Sequence, residues 1–284
     1  MRNTMGNVLC INQSTIMECR TEAFLDACGN AGFHAVELRV PKLRETCYSA
    51  PQGTVEELLA KFDIRVVALN SIDDFALVPD NYLPVLEAEL QQVGHLCRLV
   101  ACDLVVAPAG RWFDGPMRFD EMIRRSAARL RLAAGVLADF GVSVGLEPIA
   151  FPEFTVKDLR SSNEIIDRCE SKNVVLVADV YNLANGGTTP DEIKRYLSRV
   201  ALVHINDAQD VPTDQRHVMY SRAFPGDGTL PVIEWINTCI AGGYTGPFSL
   251  ELFDKAIWNL PPGEAAGKLF QKLTHFFAAL PKPT

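Results

Sequence analysis

Apolar positions along the chain alternate between two kinds of segment. Short, nearly continuous apolar runs occur at 7–11, 35–39, 66–70, 104–107, 143–147, 174–179, 202–206 and 248–252. Such runs are expected for strands covered on both faces. Between them lie longer stretches whose apolar residues recur at helical spacing, as with Leu83, Leu86, Leu90, Val93 and Leu96 within 81–100. Further helices are predicted over 21–31, 119–140, 162–170, 231–241 and 265–280. Gly32 and Gly141 supply stops for the first two of these. Thr54 with Glu57 reads as a capping box before a short helix, and Thr189, Pro190 and Glu192 combine an N-cap, a first-turn proline and a capping-box glutamate. Ser162 is read as the start of the helix over 162–170.

Eight strands in alternation with eight helices predict a parallel sheet of α/β class. No composition break or linker divides the 284 residues, so a single (β/α)8 TIM barrel domain spanning 1–284 is favoured over an open doubly wound sheet. No glycine-rich loop follows the first strand, which argues against a dinucleotide or nucleoside triphosphate site. Gly226-Asp227-Gly228 reads as a turn.

Charge and cysteine content narrow the function classes. The formal net charge of −8 argues against a broad phosphate-binding face and hence against nucleic acid as a partner. The eight cysteines include no Cys-x-x-Cys pair, so they read as buried small apolar residues in a reducing compartment. No uncharged apolar run approaches the ~18 residues of a membrane helix, and the first residues lack the apolar core of a signal peptide. The expectation is a soluble cytoplasmic protein with a small-molecule partner and no membrane contact. The oligomeric state stays open, with a homo-oligomer among the options.

Barrel enzymes work at the carboxyl ends of their strands. Four successive predicted strands end in, or carry near that end, Glu147, Asp179, His204 and Glu251. Taken singly, each has an ordinary explanation as a cap, a solvated loop group or a satisfied core histidine. Taken together, three carboxylates and an imidazole converging at one barrel mouth would repel one another and be costly to desolvate. One divalent cation removes that cost, and the oxygen-rich donor set suits Mn2+, Mg2+, Co2+ or Zn2+ without choosing among them.

At these residues the chain resembles the xylose isomerase-like TIM barrel superfamily, which includes ketose 3-epimerases, hydroxypyruvate isomerase and inosose isomerase, together with inosose and 3-dehydroshikimate dehydratases and endonuclease IV. The resemblance covers nearly the whole chain. It is strongest in GLEP at 145–148, VADVYN at 177–182, VHIND at 203–207, RAFPGDG at 222–228 and SLELF at 249–253. It implies a metal quartet of Glu147, Asp179, His204 and Glu251, with Glu147 and Glu251 as the catalytic acid and base. It further implies substrate contacts from Glu153, six residues after the first metal glutamate, and from Arg222, three residues before the Pro-Gly-x-Gly turn. Arg222 also reads as a surface loop charge. Trp112, in GRWFDG, would wall the pocket or cap the barrel. Glu37 would reach the pocket or form a salt bridge within the rim. The sequence departs from the resemblance at Asn182, where many relatives carry histidine. Asn182 can hydrogen-bond a hydroxyl but cannot act as a titrating base.

The resemblance therefore implies a metal-dependent isomerase or epimerase of a small keto sugar, cyclitol or hydroxy-keto acid, working by enediolate proton transfer. A metal-dependent dehydratase of the inosose or 3-dehydroshikimate type is the alternative. An endonuclease is disfavoured by the charge and by the lack of further histidines at the earlier strand ends. A non-catalytic metal-bound barrel is disfavoured by the intact quartet.

Overall fold

The computed structural model describes residues 8–111 and 117–280. Eight parallel strands close into a barrel: β1 (Leu9–Asn12), β2 (Ala35–Arg39), β3 (Arg65–Asn70), β4 (Leu104–Pro108), β5 (Ser143–Glu147), β6 (Val174–Asp179), β7 (Val200–Ile205) and, after a two-stranded hairpin of β8 (Asp207–Ala208) and β9 (Arg222–Ala223), β10 (Phe248–Leu250). The order around the ring is β1-β10-β7-β6-β5-β4-β3-β2. The predicted single (β/α)8 barrel is the observed fold. Asn7, expected in the first strand, lies outside the described residues.

The helices are α1 (Thr21–Ala31), α2 (Val40–Ser49), α3 (Thr54–Phe62), α4 (Leu83–Leu99), α5 (Phe119–Ala138), α6 (Leu159–Cys169), α7 (Val180–Asn185), α8 (Val232–Ala241), α9 (Lys255–Trp258) and α10 (Pro262–Ala278). Four local expectations change. Helix α2 has no predicted counterpart; it starts directly at the end of β2, with Pro41 in its first turn and Val40, Leu43 and Thr46 buried. Gly53, with φ of 89°, is the residue before α3, and Thr54 bonds back to Pro51 O rather than closing a capping box. Helix α6 starts before Ser162, because Asp158 caps it by accepting from Ser161 N at 2.8 Å. The capping pair at Thr189 is present, with Thr189 N donating to Glu192 at 2.7 Å, but it opens a 3-10 segment, Pro190–Arg195, so the crossover from β6 to β7 is short α7 plus this segment.

Period-two alternation sorts each strand. Leu9, Ile11, Val36, Leu38, Val203 and Ile205 belong to the large core between strands and helices. Cys10, Ala35, Ala68, Val106, Val177 and Leu202 form a smaller cluster that fills the barrel. The interior phase then turns polar toward the carboxyl ends, at Asn12, Glu37, Asn70, Asp179, His204 and Ser249, each at most 4% exposed. Seven of the eight cysteines are buried and all eight are free. No helix among the described residues is long and apolar enough to cross a membrane.

Candidate metal centre and active site

Each quartet residue is held by the end of a strand. Glu147 ends β5, Asp179 ends β6, His204 is the penultimate residue of β7, and Glu251 follows β10. One ligand atom from each lies within 4.8 Å of all the others. His204 Nδ1 stands 3.3 Å from Glu147 Oε1, 3.6 Å from Glu251 Oε2 and 3.8 Å from Asp179 Oδ2.

The other face of the imidazole explains that orientation. His204 Nε2 is 3.1 Å from Glu37 Oε2 and 3.2 Å from Oε1. Glu37 is fully buried and also accepts from Asn70 Nδ2 and Ser249 Oγ, each at 2.9 Å. An ionised carboxylate only accepts, so the proton belongs on Nε2 and Nδ1 is turned to the quartet. Histidine ligands are commonly oriented by such an outer carboxylate. Glu37 does not line the cavity: of the two roles left open for it, the structure shows an ion-pair type contact, made not with the rim but with His204 inside the barrel.

Arg222 reaches in from β9. Its Nη1 lies 2.7 Å from Asp179 Oδ2 and 3.1 Å from Glu251 Oε2, and the residue is only 6% exposed. It is therefore not a surface loop charge. Asp207, at the start of the hairpin, accepts from the backbone N–H of Gly226, Gly228, Leu230 and Ala208 at 2.8–3.0 Å, tying the Arg222–Gly228 loop to the barrel. A Cβ on Gly228 would sit 2.2 Å from Ala208 O, so the loop closes this tightly only around glycine.

The electrostatics follow from crowding. Burial raises Glu147 above its ordinary range. Burial, with the charges of Glu147 and Asp179, pushes Glu251 up to about 7 against the opposing pull of His204 and Arg222. Burial also acts to raise Asp179, but Arg222 and His204 outweigh it and hold that carboxyl below its ordinary value. For His204 burial favours the neutral ring, yet Glu37, Glu251 and Glu147 overcome it and raise the imidazole well above its usual range. Counted as ionised, the four buried carboxylates outnumber the guanidinium and the protonated imidazole together, so negative charge remains in surplus. Three oxygen donors, one nitrogen donor and that surplus charge fit a divalent metal ion.

Above the quartet lies a cavity of about 250 Å3 lined by Glu147, Glu251, Arg222, Asn182, Arg39 and Ser71, among others. Asn182 is 1% exposed; its backbone N donates to Asp179 Oδ1 at 2.8 Å, while its side-chain Oδ1 has no hydrogen-bond partner among the described residues. Glu153 does not join this group: it is exposed on a turn and does not line the cavity. Its spacing from Glu147 is met, but the turn after β5 directs it to solvent. Trp112 lies outside the described residues. Sequence reasoning passed over Asn12, whose Nδ2 donates to Glu251 Oε1 at 2.9 Å, and Asn206, whose Nδ2 donates to Asp179 Oδ2 at 2.9 Å. The available signal was a polar residue in the interior phase of an otherwise apolar strand end.

Known proteins share this arrangement of elements. The chain is 26% identical over 271 residues to the inosose isomerase of Halalkalibacterium halodurans, covering 90% of this chain and 92% of that protein. It is 23% identical over 245 residues to the 3-dehydroshikimate dehydratase of Pseudomonas aeruginosa, covering 84% of this chain and 37% of that longer protein. The crystal structure of the IolI protein with a bound zinc atom superposes with a TM-score of 0.89 at 22% identity, covering 97% of this chain and 99% of that one. The family model for the xylose isomerase-like TIM barrel matches residues 25–275, and the chain belongs to that family.

Proposed function

We propose that this chain is a divalent-metal-dependent isomerase of a small cyclic polyhydroxy ketone, of the inosose type. The observation that carries the reading is the placement of Glu147 and Glu251. Both are buried, both line one cavity, and they come from β5 and β10, which are three strands apart around the ring. The relatives named inosose isomerase support the same class of substrate. The volume of about 250 Å3 lies below the ~300–1,000 Å3 typical of drug-sized ligand sites and suits a molecule of monosaccharide size.

Glu147, Asp179, His204 and Glu251 would hold Mn2+, Mg2+, Co2+ or Zn2+. A bound divalent ion supplies Lewis-acid stabilisation of the negative charge that develops on the substrate carbonyl oxygen. One glutamate removes the proton from the carbinol carbon next to the ketone, which yields an enediolate. The neighbouring hydroxyl proton passes to the former carbonyl oxygen, the other glutamate delivers a proton to the former carbonyl carbon, and the two glutamates return to their starting protonation by exchange with solvent. The carbonyl moves by one position and no external redox partner is consumed. Arg222 orients substrate oxygens from the β9 side, where its guanidinium already borders Asp179 and Glu251. Asn182 offers its unpartnered Oδ1 to a substrate hydroxyl.

The test is proton exchange in deuterium oxide with Glu147→Gln and Glu251→Gln, each loaded with metal and checked for metal content. Each variant should lose ~10²–10⁴-fold in turnover, the usual contribution of a positioned acid or base. Loss of the two should block exchange from opposite isomers. Normal turnover by either metal-loaded variant overturns the two-glutamate mechanism. A product lighter by one water would instead establish the dehydratase chemistry of the Pseudomonas aeruginosa relative.

A further inference from the structure

We propose that the β2–β3 wall of the mouth, built on Arg39, recognises the substrate edge remote from the reacting carbon, and that its ligand is a pair of hydroxyls on neighbouring carbons. This rests on the isomerase reading for its choice of substrate, but not for the existence of the subsite.

Arg39 ends β2, lines the cavity and is half-buried. Its backbone N donates to Oε1 of the fully buried Gln13 at 2.9 Å, and its Nη1 donates to Ser14 Oγ at 3.3 Å. The first bond fixes the backbone and the second anchors one guanidinium nitrogen, Nη1, leaving Nε and Nη2 without a partner among the described residues. The other two arginines lining the cavity are engaged by acids: Arg222 by Asp179 and Glu251, Arg111 by Asp74. Among the described residues Arg39 has no acidic partner. A half-buried guanidinium with an open fork of donors is suited to two oxygens at once.

Two observations select hydroxyls over an anionic substituent. Arg39 and Arg111 share the cavity with Asp73 and Asp74, so this wall carries no surplus positive charge to attract a phosphate or carboxylate. β6 lies diametrically across the ring from β2, and there the buried Asn182 Oδ1 lacks a donor among the described residues. A hydroxyl can donate to it, while an ionised phosphate or carboxylate cannot. Arg39 and Asn182 therefore bracket a neutral, hydroxyl-bearing ring between them.

The test uses an inositol, the saturated ring that binds without reacting, and an inosose as substrate. Metal-loaded parent, Arg39→Lys and Arg39→Met proteins are titrated with the inositol by calorimetry, with circular dichroism confirming the fold. Both variants should weaken inositol binding by ~10–100-fold, because lysine keeps the charge and loses the fork. With the inosose, KM should rise by a similar factor while kcat falls less than about threefold. An inosose lacking one remote hydroxyl should lose affinity in the parent and lose nothing more in Arg39→Met. Unchanged inositol binding by Arg39→Met, or a parent that binds no inositol, overturns the subsite. A parent that prefers a phosphorylated ketose, with the preference lost in Arg39→Met, overturns the hydroxyl assignment in favour of an anion. Arg39-dependent inositol binding without turnover of the inosose would leave the subsite standing and reject the isomerase reading.

Discussion

Glu37 is the sharpest place to perturb the candidate metal centre, because within the quartet it bonds only to His204, on the imidazole's far side. It accepts from three buried donors: His204 Nε2 at 3.1 Å, Asn70 Nδ2 at 2.9 Å and Ser249 Oγ at 2.9 Å. Replacement by leucine would strand all three at ~1–3 kcal/mol each, a large share of a typical stability of ~5–15 kcal/mol, so that variant would report on folding. Glu37→Gln preserves shape but supplies one acceptor and one donor. Asn70 Nδ2 is a donor only and claims the carbonyl oxygen. The Gln amide N–H2 then replaces the oxygen that stood 3.1 Å from His204 Nε2, and the imidazole N–H keeps only the carbonyl oxygen it shares with Asn70, so the hold on the proton at Nε2 weakens. Loss of such an outer partner costs ~10–100-fold in metal affinity, or ~1.4–2.8 kcal/mol at ~1.4 kcal/mol per tenfold. Competition with a fluorescent chelator measures the metal Kd, and a melting curve of the metal-free protein checks the fold. An intact Glu37→Gln protein with the parent's metal Kd would refute the orienting role of Glu37.

Metal affinity should also rise with pH between about 6 and 8. Glu251, pushed up to about 7, is protonated below that value, and His204, raised well above its ordinary range, must shed a proton on ligation; calorimetry in buffers of different ionisation enthalpy should register proton release, and pH-independent affinity would contradict it. Gly228→Ala should destabilise the protein by ~1–3 kcal/mol through overpacking against Ala208 O, 2.2 Å from the added Cβ, and an unchanged Tm would show that the Arg222 loop is not closed this tightly. Asn182→Asp adds a carboxylate beside Asp179, to which Asn182 N already donates; activity should fall at least about tenfold with little change in Tm, and unchanged activity and substrate range would place Asn182 outside the substrate's reach.

Much of this was legible in the sequence because covered parallel strands must be apolar. That made Glu147, Asp179, His204 and Glu251 conspicuous interruptions at strand ends. Their convergence then followed from barrel closure. Helix α2 was not legible: its start coincides with the end of β2, and its only punctuation, Pro41, reads equally as a loop residue. Asp207 was hidden for a different reason. An acid two residues past a strand looks like an ordinary solvated turn, and nothing local reveals that four backbone N–H groups from 208 to 230 converge on it. Glu153 misled because sequence spacing fixes distance along the chain but not the direction in which a turn exits the strand. Asn12 and Asn206 were passed over because an amide at a strand end carries no charge and has an ordinary local use, as when Asn12 accepts from Ser14 N.

The strand geometry also shows how one element would serve both the proposed chemistry and the proposed recognition. Glu37 and Arg39 are two residues apart on β2, so period-two alternation puts both on the barrel's inner face. Glu37 lies deep, against His204, and Arg39 one step higher, at the cavity. The neighbouring strand repeats the arrangement in register: Arg39 pairs with Asn70, and Asn70 Nδ2 donates to Glu37. The carboxylate that orients a metal ligand and the guanidinium assigned to the substrate edge are therefore fixed relative to each other by paired backbone, not by a mobile loop. Any shift of β2 large enough to move the recognition group would also turn the imidazole. This coupling predicts that substrate range changes through Arg39 itself or the segments above it, while Glu37 tolerates no substitution that leaves metal binding intact.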